Sequence, residues 1–233
     1  FSQSFVVMIY IITGSTSGLG LKVALSLCKK DKVIGVSRSM DIPCELLKYK
    51  ENYRHCAIDL SDDSRKVRKS FEDLISTINS DEKITLIINA AKFLVSDMVL
   101  DPEESVALFN SNFFNSTVLV KSLLGLRLRR VLFINSISGL VAQQNQYDYS
   151  ASKHALQSFS DTLAISAKQF KFDVMTINPG GINTDLWNKA SISPPVEKFM
   201  DPTELAELIV FLLHLRGRYF IKNFTILPEV DVT

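Results

Sequence analysis

Cysteine and histidine are scarce in this chain of 233 residues, with three of each, and neither type forms a cluster. Cys28, Cys44 and Cys56 are odd in number and lie far apart, with no CxxC pair. That excludes a disulfide framework and suits thiols held as packing residues in a reducing compartment. His55, His154 and His214 are equally scattered, so no Cys/His set has the spacing of a structural zinc site and no metal is implied. Charge of one sign is also missing: 26 Lys and Arg stand against 25 Asp and Glu. Without a basic field to displace counterions from phosphates, nucleic acid is a poor partner. The longest apolar run covers residues 5–12, far short of the ~20 residues of a membrane helix, and no charged segment precedes it as in a secretory signal. A protein of the cytoplasm, without a membrane, is the expectation. Residues 1–7 precede the first methionine and are set aside as an extension foreign to the domain or disordered.

What remains has the size and composition of one compact domain, residues 8–233. Short β-rich runs alternate with longer stretches of helical period, the pattern of a parallel sheet covered on both faces. The runs predict strands at 8–13, 33–37, 55–58, 84–89, 131–135, 173–178 and 224–227. Helices are predicted at 19–30, 62–78, 102–124, 149–169 and 202–213. Asp101-Pro102 and Asp201-Pro202 each set a capping carboxylate before a proline at the first helical position. The fold class is therefore α/β, a single domain with a doubly wound parallel sheet of about seven strands flanked by helices. Residues 182–200, with Pro194-Pro195, read as one long loop. Arg127, Arg129 and Arg130 read as a solvated connection ahead of the fifth strand.

The first strand runs into Thr13-Gly14-Ser15-Thr16-Ser17-Gly18-Leu19-Gly20 and then a helix. At such a junction a helix N-terminus offers free N–H groups to a diphosphate, and glycine is needed where backbone must approach the ligand. The spacing of Gly14, Gly18 and Gly20 is neither GxGxxG nor a P-loop, since no lysine follows the last glycine. In a dinucleotide site the end of the second strand reads the adenosine ribose: a carboxylate suits a 2′-hydroxyl, an arginine a 2′-phosphate. Here it reads Ser37-Arg38-Ser39, which favours NADP over NAD, the alternative being an arginine merely solvated at a strand end.

Thirteen residues after Ser136 stands Tyr149, followed by Ser150-Ala151-Ser152-Lys153. On a helix Tyr149 and Lys153 are i and i+4 and share one face. A phenol near pKa ~10 becomes a usable acid or base when an ammonium favours its phenolate, so the two could form a tuned proton-transfer pair. Alone, such a pair is common on ordinary amphipathic helices.

Together, the turn 13–20, Asn89-Ala90-Ala91, Asn112, Ser136 and Tyr149-Ser150-Ala151-Ser152-Lys153 resemble the short-chain dehydrogenase/reductase family, in order and in spacing, over nearly the whole chain. The resemblance implies a Rossmann-like fold and an NADP(H)-preferring oxidoreductase, NAD(H) being the other coenzyme of the family. Tyr149 would be the general acid in carbonyl reduction and the base in alcohol oxidation. Ser136 would hold the substrate oxygen, Lys153 would lower the Tyr149 pKa and bind the nicotinamide ribose, and Asn112 would position a water behind Lys153. Gly14, Ser15, Thr16, Ser17, Gly18, Leu19 and Gly20 would cradle the diphosphate. Asn89, Ala90 and Ala91 would line the adenosine ribose region, and Asp59 and Leu60 the adenine, although Asp59 also suits a cap with Ser61. Pro179, Gly180, Ile182 and Thr184 would meet the nicotinamide amide and the diphosphate.

Departures from the family pattern are Ile88-Asn89-Ala90-Ala91, which loses one Asn and the closing Gly, and a C-terminal end without its usual glycine pair. The resemblance further implies a small carbonyl or alcohol substrate and a homodimer or homotetramer. Phe109, Phe113, Phe114, Leu156, Phe159 and Leu163 would supply either that contact or internal core. Leu186, Trp187, Phe199 and Met200 would either close over substrate or pack their loop. Two other functions stay open: a nucleotide-binding regulatory protein with little turnover, and, more weakly, an epimerase or dehydratase of a nucleotide sugar.

Overall fold

The computed structural model describes residues 8–95, 101–187, 194–215 and 221–229; residues 1–7 lie outside that set. Seven strands form one sheet: β1 (Met8–Thr13), β2 (Lys32–Ser37), β3 (Tyr53–Ala57), β4 (Lys83–Ile88), β5 (Leu128–Ile134), β6 (Asp173–Pro179) and β7 (Asn223–Ile226). Their order is β3-β2-β1-β4-β5-β6-β7, and every pairing is parallel. The order reverses at β1 and β4, so a crevice opens beyond the C-terminal ends of those two strands, where ligands bind in open α/β sheets.

Strict alternation along the strands splits the core into two layers. Ile9, Ile11, Ile34, Val36, Leu86, Ile88, Val131 and Phe133 face one side, where they meet α3 (Ser64–Ser76), α5 (Asn115–Leu123) and α6 (Tyr147–Phe170). Tyr10, Ile12, Val33, Ile87, Leu132, Ile134, Met175 and Ile177 face the other, against α1 (Gly18–Cys28), α2 (Cys44–Leu47) and α7 (Pro202–His214). Burial on both faces explains why the strands read as near-continuous apolar runs. The helix starts follow the capping expectation: Asp101 accepts from the Glu103 N–H at 2.8 Å and Asp201 from the Thr203 N–H at 2.6 Å.

Three expectations need correction. The single helix expected over 102–124 is α4 (Pro102–Phe109) and α5 joined by a π-helical turn, Asn110–Phe114. Such a turn leaves no mark in apolar periodicity and is frequent at functional sites. Arg129 and Arg130 belong to β5 instead of a solvated connection. Arg130 pairs with Asp173 at 3.4 Å and donates to the Leu212 and Leu213 carbonyls, closing the C-terminal end of α7. Of the loop 182–200, residues 188–193 lie outside the described set; the rest holds a bridge between Ile182 and Met200 and a 3-10 turn, Val196–Lys198. Elsewhere strand and helix ends move by one to three residues, and α2 is a four-residue helix too short for periodicity to reveal. No helix among the described residues is long and apolar enough to cross a membrane.

Candidate active site

At the end of β1 the chain turns through Gly14 (φ +70°) and Gly18 (φ +52°), conformations that a side chain would strain. The turn is lashed to its neighbours. The Gly14 N–H donates to the Val36 carbonyl at 2.7 Å. The Thr13 hydroxyl oxygen accepts from the N–H groups of Asn89 and Ala90 at 2.9 and 3.0 Å, and the Asn89 amide donates back to the Thr13 carbonyl at 3.0 Å. A Cβ on Gly20 would collide with the Gly14 carbonyl and the Asn89 amide, so glycine there lets α1 lie against the turn. The helix begins at Ser17 with no side-chain cap and no acidic residue in its first turn. Its first N–H groups are left for a ligand, with the positive end of the helix dipole behind them.

The turn forms one wall of a cleft of about 880 Å³. Of the residues singled out in the sequence, Gly14, Thr16, Ser17, Gly18, Leu19, Gly20, Ser37, Arg38, Ser39, Asp59, Leu60, Asn89, Ala90, Ala91, Ser136, Tyr149, Lys153, Pro179, Gly180, Ile182 and Thr184 all line it. Thr184 stands opposite the glycine turn, its methyl 3.4 Å from where a Gly18 Cβ would lie. Asp59 lines the cleft, and its carboxylate accepts from the Ser61 N–H at 2.9 Å and hydroxyl at 2.7 Å, while the helix that follows is capped by Asp63. Ala91 takes no positive φ, so the loss of the family's glycine costs this turn nothing.

Two of the expected residues are elsewhere. Ser15 is fully buried and turned away from the cleft, its hydroxyl 3.0 Å from the Tyr53 hydroxyl. Asn112 sits in the π-helical turn with both amide hydrogens engaged: its carboxamide accepts from the Lys92 N–H at 2.7 Å and donates to the Lys92 carbonyl and the Ser152 hydroxyl at 2.9 and 3.1 Å. Its side chain braces the segment after β4 and ties it to α6.

Tyr149 and Lys153, on one face of α6, are only 7% and 2% exposed. The Lys153 ammonium lies over the Tyr149 ring, 5.7 Å from its centroid, and donates to the Ile134 carbonyl at 3.3 Å. Burial pushes the phenol up to about 12, opposed by its hydrogen bond with Ser136, and pushes the lysine down to about 8. Loss of water thus dominates the phenol, while the cation sits at the face of its ring. Ser136 is held by its own turn, its hydroxyl oxygen accepting from the Ser138 N–H at 3.1 Å.

An apolar wall covers the phenol. Phe93 packs edge-on against Tyr149 at 4.7 Å between ring centroids and Trp187 against Phe93 at 5.0 Å, with Phe199 5.1 Å beyond. The Trp187 indole N–H donates to the Ile182 carbonyl at 2.8 Å. The loop aromatics thus reach the site, whereas Leu156 and Leu163 are internal core and Phe114 is exposed. Sequence reasoning missed Phe93, Leu94, Gln143 and Gln146, which also line the cleft. Phe93 follows β4 by five residues, and a bulky apolar group so close to a strand's C-terminal end was its available signal; the two glutamines carry none.

A nicotinamide dinucleotide fits these residues: an uncapped helix N-terminus beside a glycine cradle at one end of the cleft, and a hydroxyl, phenol and ammonium at the other.

The chain matches the short chain dehydrogenase family over residues 8–194 and belongs to that family. It is an oxidoreductase of the short-chain dehydrogenase/reductase kind. It is similar to the 3-oxoacyl-[acyl-carrier-protein] reductase of Buchnera aphidicola, at 27% identity over 90% of this chain and 91% of that one. It is also similar to the 3-ketodihydrosphingosine reductase of Bacteroides thetaiotaomicron, at 31% identity over 79% and 68%. Among solved structures the alcohol dehydrogenase of Thermococcus sibiricus, complexed with 5-hydroxy-NADP, shares the fold with a TM-score of 0.78, at 18% identity over 94% and 96%.

Proposed function

We propose that this chain interconverts a carbonyl and an alcohol on a small molecule, with NADPH preferred and Tyr149 as general acid and base. The observation that carries the reading is the meeting of Ser136, Tyr149 and Lys153 in one cleft with the glycine turn. A nucleotide-binding regulator needs the turn alone.

When bound, the coenzyme supplies a hydride to the carbonyl carbon. The residues of the chain manage the oxygen. Ser136 donates a hydrogen bond to it and sets its position. Tyr149, protonated at neutral pH because burial holds its proton, gives that proton to the oxygen as negative charge develops there. The phenolate left behind faces the Lys153 ammonium across the ring, a preorganised charge in a site with little water. Phe93, Trp187 and Phe199 keep that water out and give the substrate an apolar wall, which supports a carbonyl compound with an apolar portion. The Bacteroides relative's name, 3-ketodihydrosphingosine reductase, points the same way.

NADPH preference rests on Arg38, exposed at the mouth between Ser37 and Ser39, the Asp41 carboxylate two residues on being held by the Ser39 hydroxyl at 3.3 Å, and agrees with the NADP derivative held by the Thermococcus structure. A charged hydrogen bond of about 1.5–3 kcal/mol predicts that Arg38→Asp raises the Kd of NADPH roughly 10- to 100-fold and that of NADH less than twofold. Equal losses in a fluorescence titration contradict the preference. Turnover is tested on a panel of aldehydes and ketones. No turnover with either coenzyme bound favours the regulator, and no binding of either removes the dinucleotide reading. A homodimer or homotetramer, carried over from the family, belongs to the same proposal, as does the reducing compartment that three free thiols suit.

A further inference from the structure

The diphosphate turn and the Ser37-Arg38-Ser39 turn are joined by a partly buried hydrogen-bonded chain through Tyr53 and His55, two residues that none of the coenzyme roles above uses. The Ser15 hydroxyl is 3.0 Å from the Tyr53 hydroxyl, which is 3.0 Å from His55 Nδ1. His55 Nε2 is 2.8 Å from the Ser39 carbonyl oxygen and 3.3 Å from the Ser37 hydroxyl. A carbonyl oxygen only accepts, so Nε2 carries the proton and donates to Ser39. In the neutral ring Nδ1 then accepts, which makes the Tyr53 hydroxyl its donor and the Ser15 hydroxyl the donor to Tyr53. Burial pushes the Tyr53 phenol up and keeps it a hydroxyl, although its bond with Ser15 opposes this. With the ring neutral, the Ser39 carbonyl thus sets the direction of every bond back to Ser15.

The backbone makes room for it. Tyr53 and His55 are i and i+2 on β3 and share a face, and His55 is the register partner of Gly35 on β2. A Cβ on Gly35 would strike the Tyr53 and Ser15 hydroxyls. The space over Gly35 is the passage through which the link runs. His55 and Tyr53 do not themselves line the cleft, whereas Ser37, Arg38 and Ser39 do. Drawing the Ser39 carbonyl toward β3 turns a repulsive dipole away from any anion bound at this corner, where the Arg38 guanidinium is exposed, while the Ser39 hydroxyl donates to the Asp41 carboxylate at 3.3 Å.

We propose that His55 is a positioning residue for a 2′-phosphate: the chain Ser15–Tyr53–His55–Ser39 locks the Ser37–Ser39 turn to the glycine turn and so sets the affinity for NADPH over NADH. The inference rests on the coenzyme reading above and assigns the selectivity to side chains behind the site as well as to Arg38. Its test uses His55→Leu, His55→Gln and Tyr53→Phe, with dissociation constants for NADPH, NADH, 2′,5′-ADP and 5′-ADP, and melting temperature as the fold control. His55→Leu raises the Kd of NADPH and of 2′,5′-ADP about tenfold, as loss of one hydrogen bond of about 1.4 kcal/mol requires, and that of NADH and 5′-ADP less than twofold. The kinetic loss falls on KM for NADPH and not on kcat. His55→Gln, whose amide can still donate to the Ser39 carbonyl, recovers NADPH affinity to within threefold of wild type. Tyr53→Phe removes a single oxygen and shows a smaller loss of the same selectivity, which keeps the idea testable if His55→Leu fails to fold. Equal weakening of both coenzymes, no weakening, or no recovery by Gln overturns the inference and leaves the coenzyme reading intact. A wild type that binds neither coenzyme overturns both.

Discussion

Tyr149→Phe lowers kcat for carbonyl reduction by about 10²- to 10⁴-fold, the span a positioned proton donor contributes, and leaves the Kd of NADPH within about twofold of wild type. The substitution removes one oxygen from a ring packed against Phe93 at 4.7 Å, so the cavity keeps its shape and the loss reports the proton alone. The pH dependence has a definite sign. Burial holds the phenol near 12, so the acid required for reduction is fully protonated from pH 6 to 9 and reduction gains nothing from alkali. Alcohol oxidation needs the phenolate, whose fraction grows with each step in pH, so oxidation rises over the same interval. Steady-state profiles in both directions check this. Unchanged turnover in the variant, or oxidation that falls as pH rises, contradicts the assignment.

Lys153→Met stabilises the coenzyme-free protein at pH 7 while nearly abolishing turnover. The ammonium is buried with one carbonyl partner at 3.3 Å, and its pKa is pushed from 10.5 down to about 8. The folded state therefore binds this proton less tightly than the unfolded chain does. The destabilisation is complete below pH 8, shrinks as pH rises toward 10.5, and vanishes above it. At 1.36 kcal/mol per pKa unit the cost is on the order of 3 kcal/mol, and its removal lifts the melting temperature by roughly 5–10 °C. The gain at pH 7 is lost near pH 10.5. Equal melting temperatures for variant and wild type at pH 7 contradict this account. The same charge that burdens the empty fold faces the phenolate formed in reduction, which is why catalysis suffers when stability improves.

Much of this was legible in the chain because it depends on local chemistry. Alternating apolar strands and carboxylate-proline helix starts announced a doubly wound sheet, and the glycine turn and the Tyr149/Lys153 pair lie where their spacing places them. What escaped depends on contacts between distant segments. The π-helical turn at Asn110–Phe114 breaks no periodic pattern, yet it seats Asn112 as a brace on Lys92. Ser15 lies inside the glycine turn but faces Tyr53, because a turn can point only some of its side chains at a ligand. The i and i+4 spacing of Tyr149 and Lys153 fixes their nearness but says nothing of their hydration, and both are buried. Phe93 and Trp187 meet over the phenol from loops 94 positions apart in sequence.

The central claim is that this cleft joins a hydride donor to a carbonyl beside the Tyr149 hydroxyl. Incubating the protein with a carbonyl panel and NADPH deuterated at the transferable position, then weighing the alcohol products by mass spectrometry, tests it most directly. The account predicts an alcohol one mass unit heavier, with the deuterium on the carbinol carbon and the hydroxyl proton taken from solvent, formed by wild type and strongly reduced in Tyr149→Phe. A folded protein that binds NADPH yet transfers no deuterium to any carbonyl contradicts it.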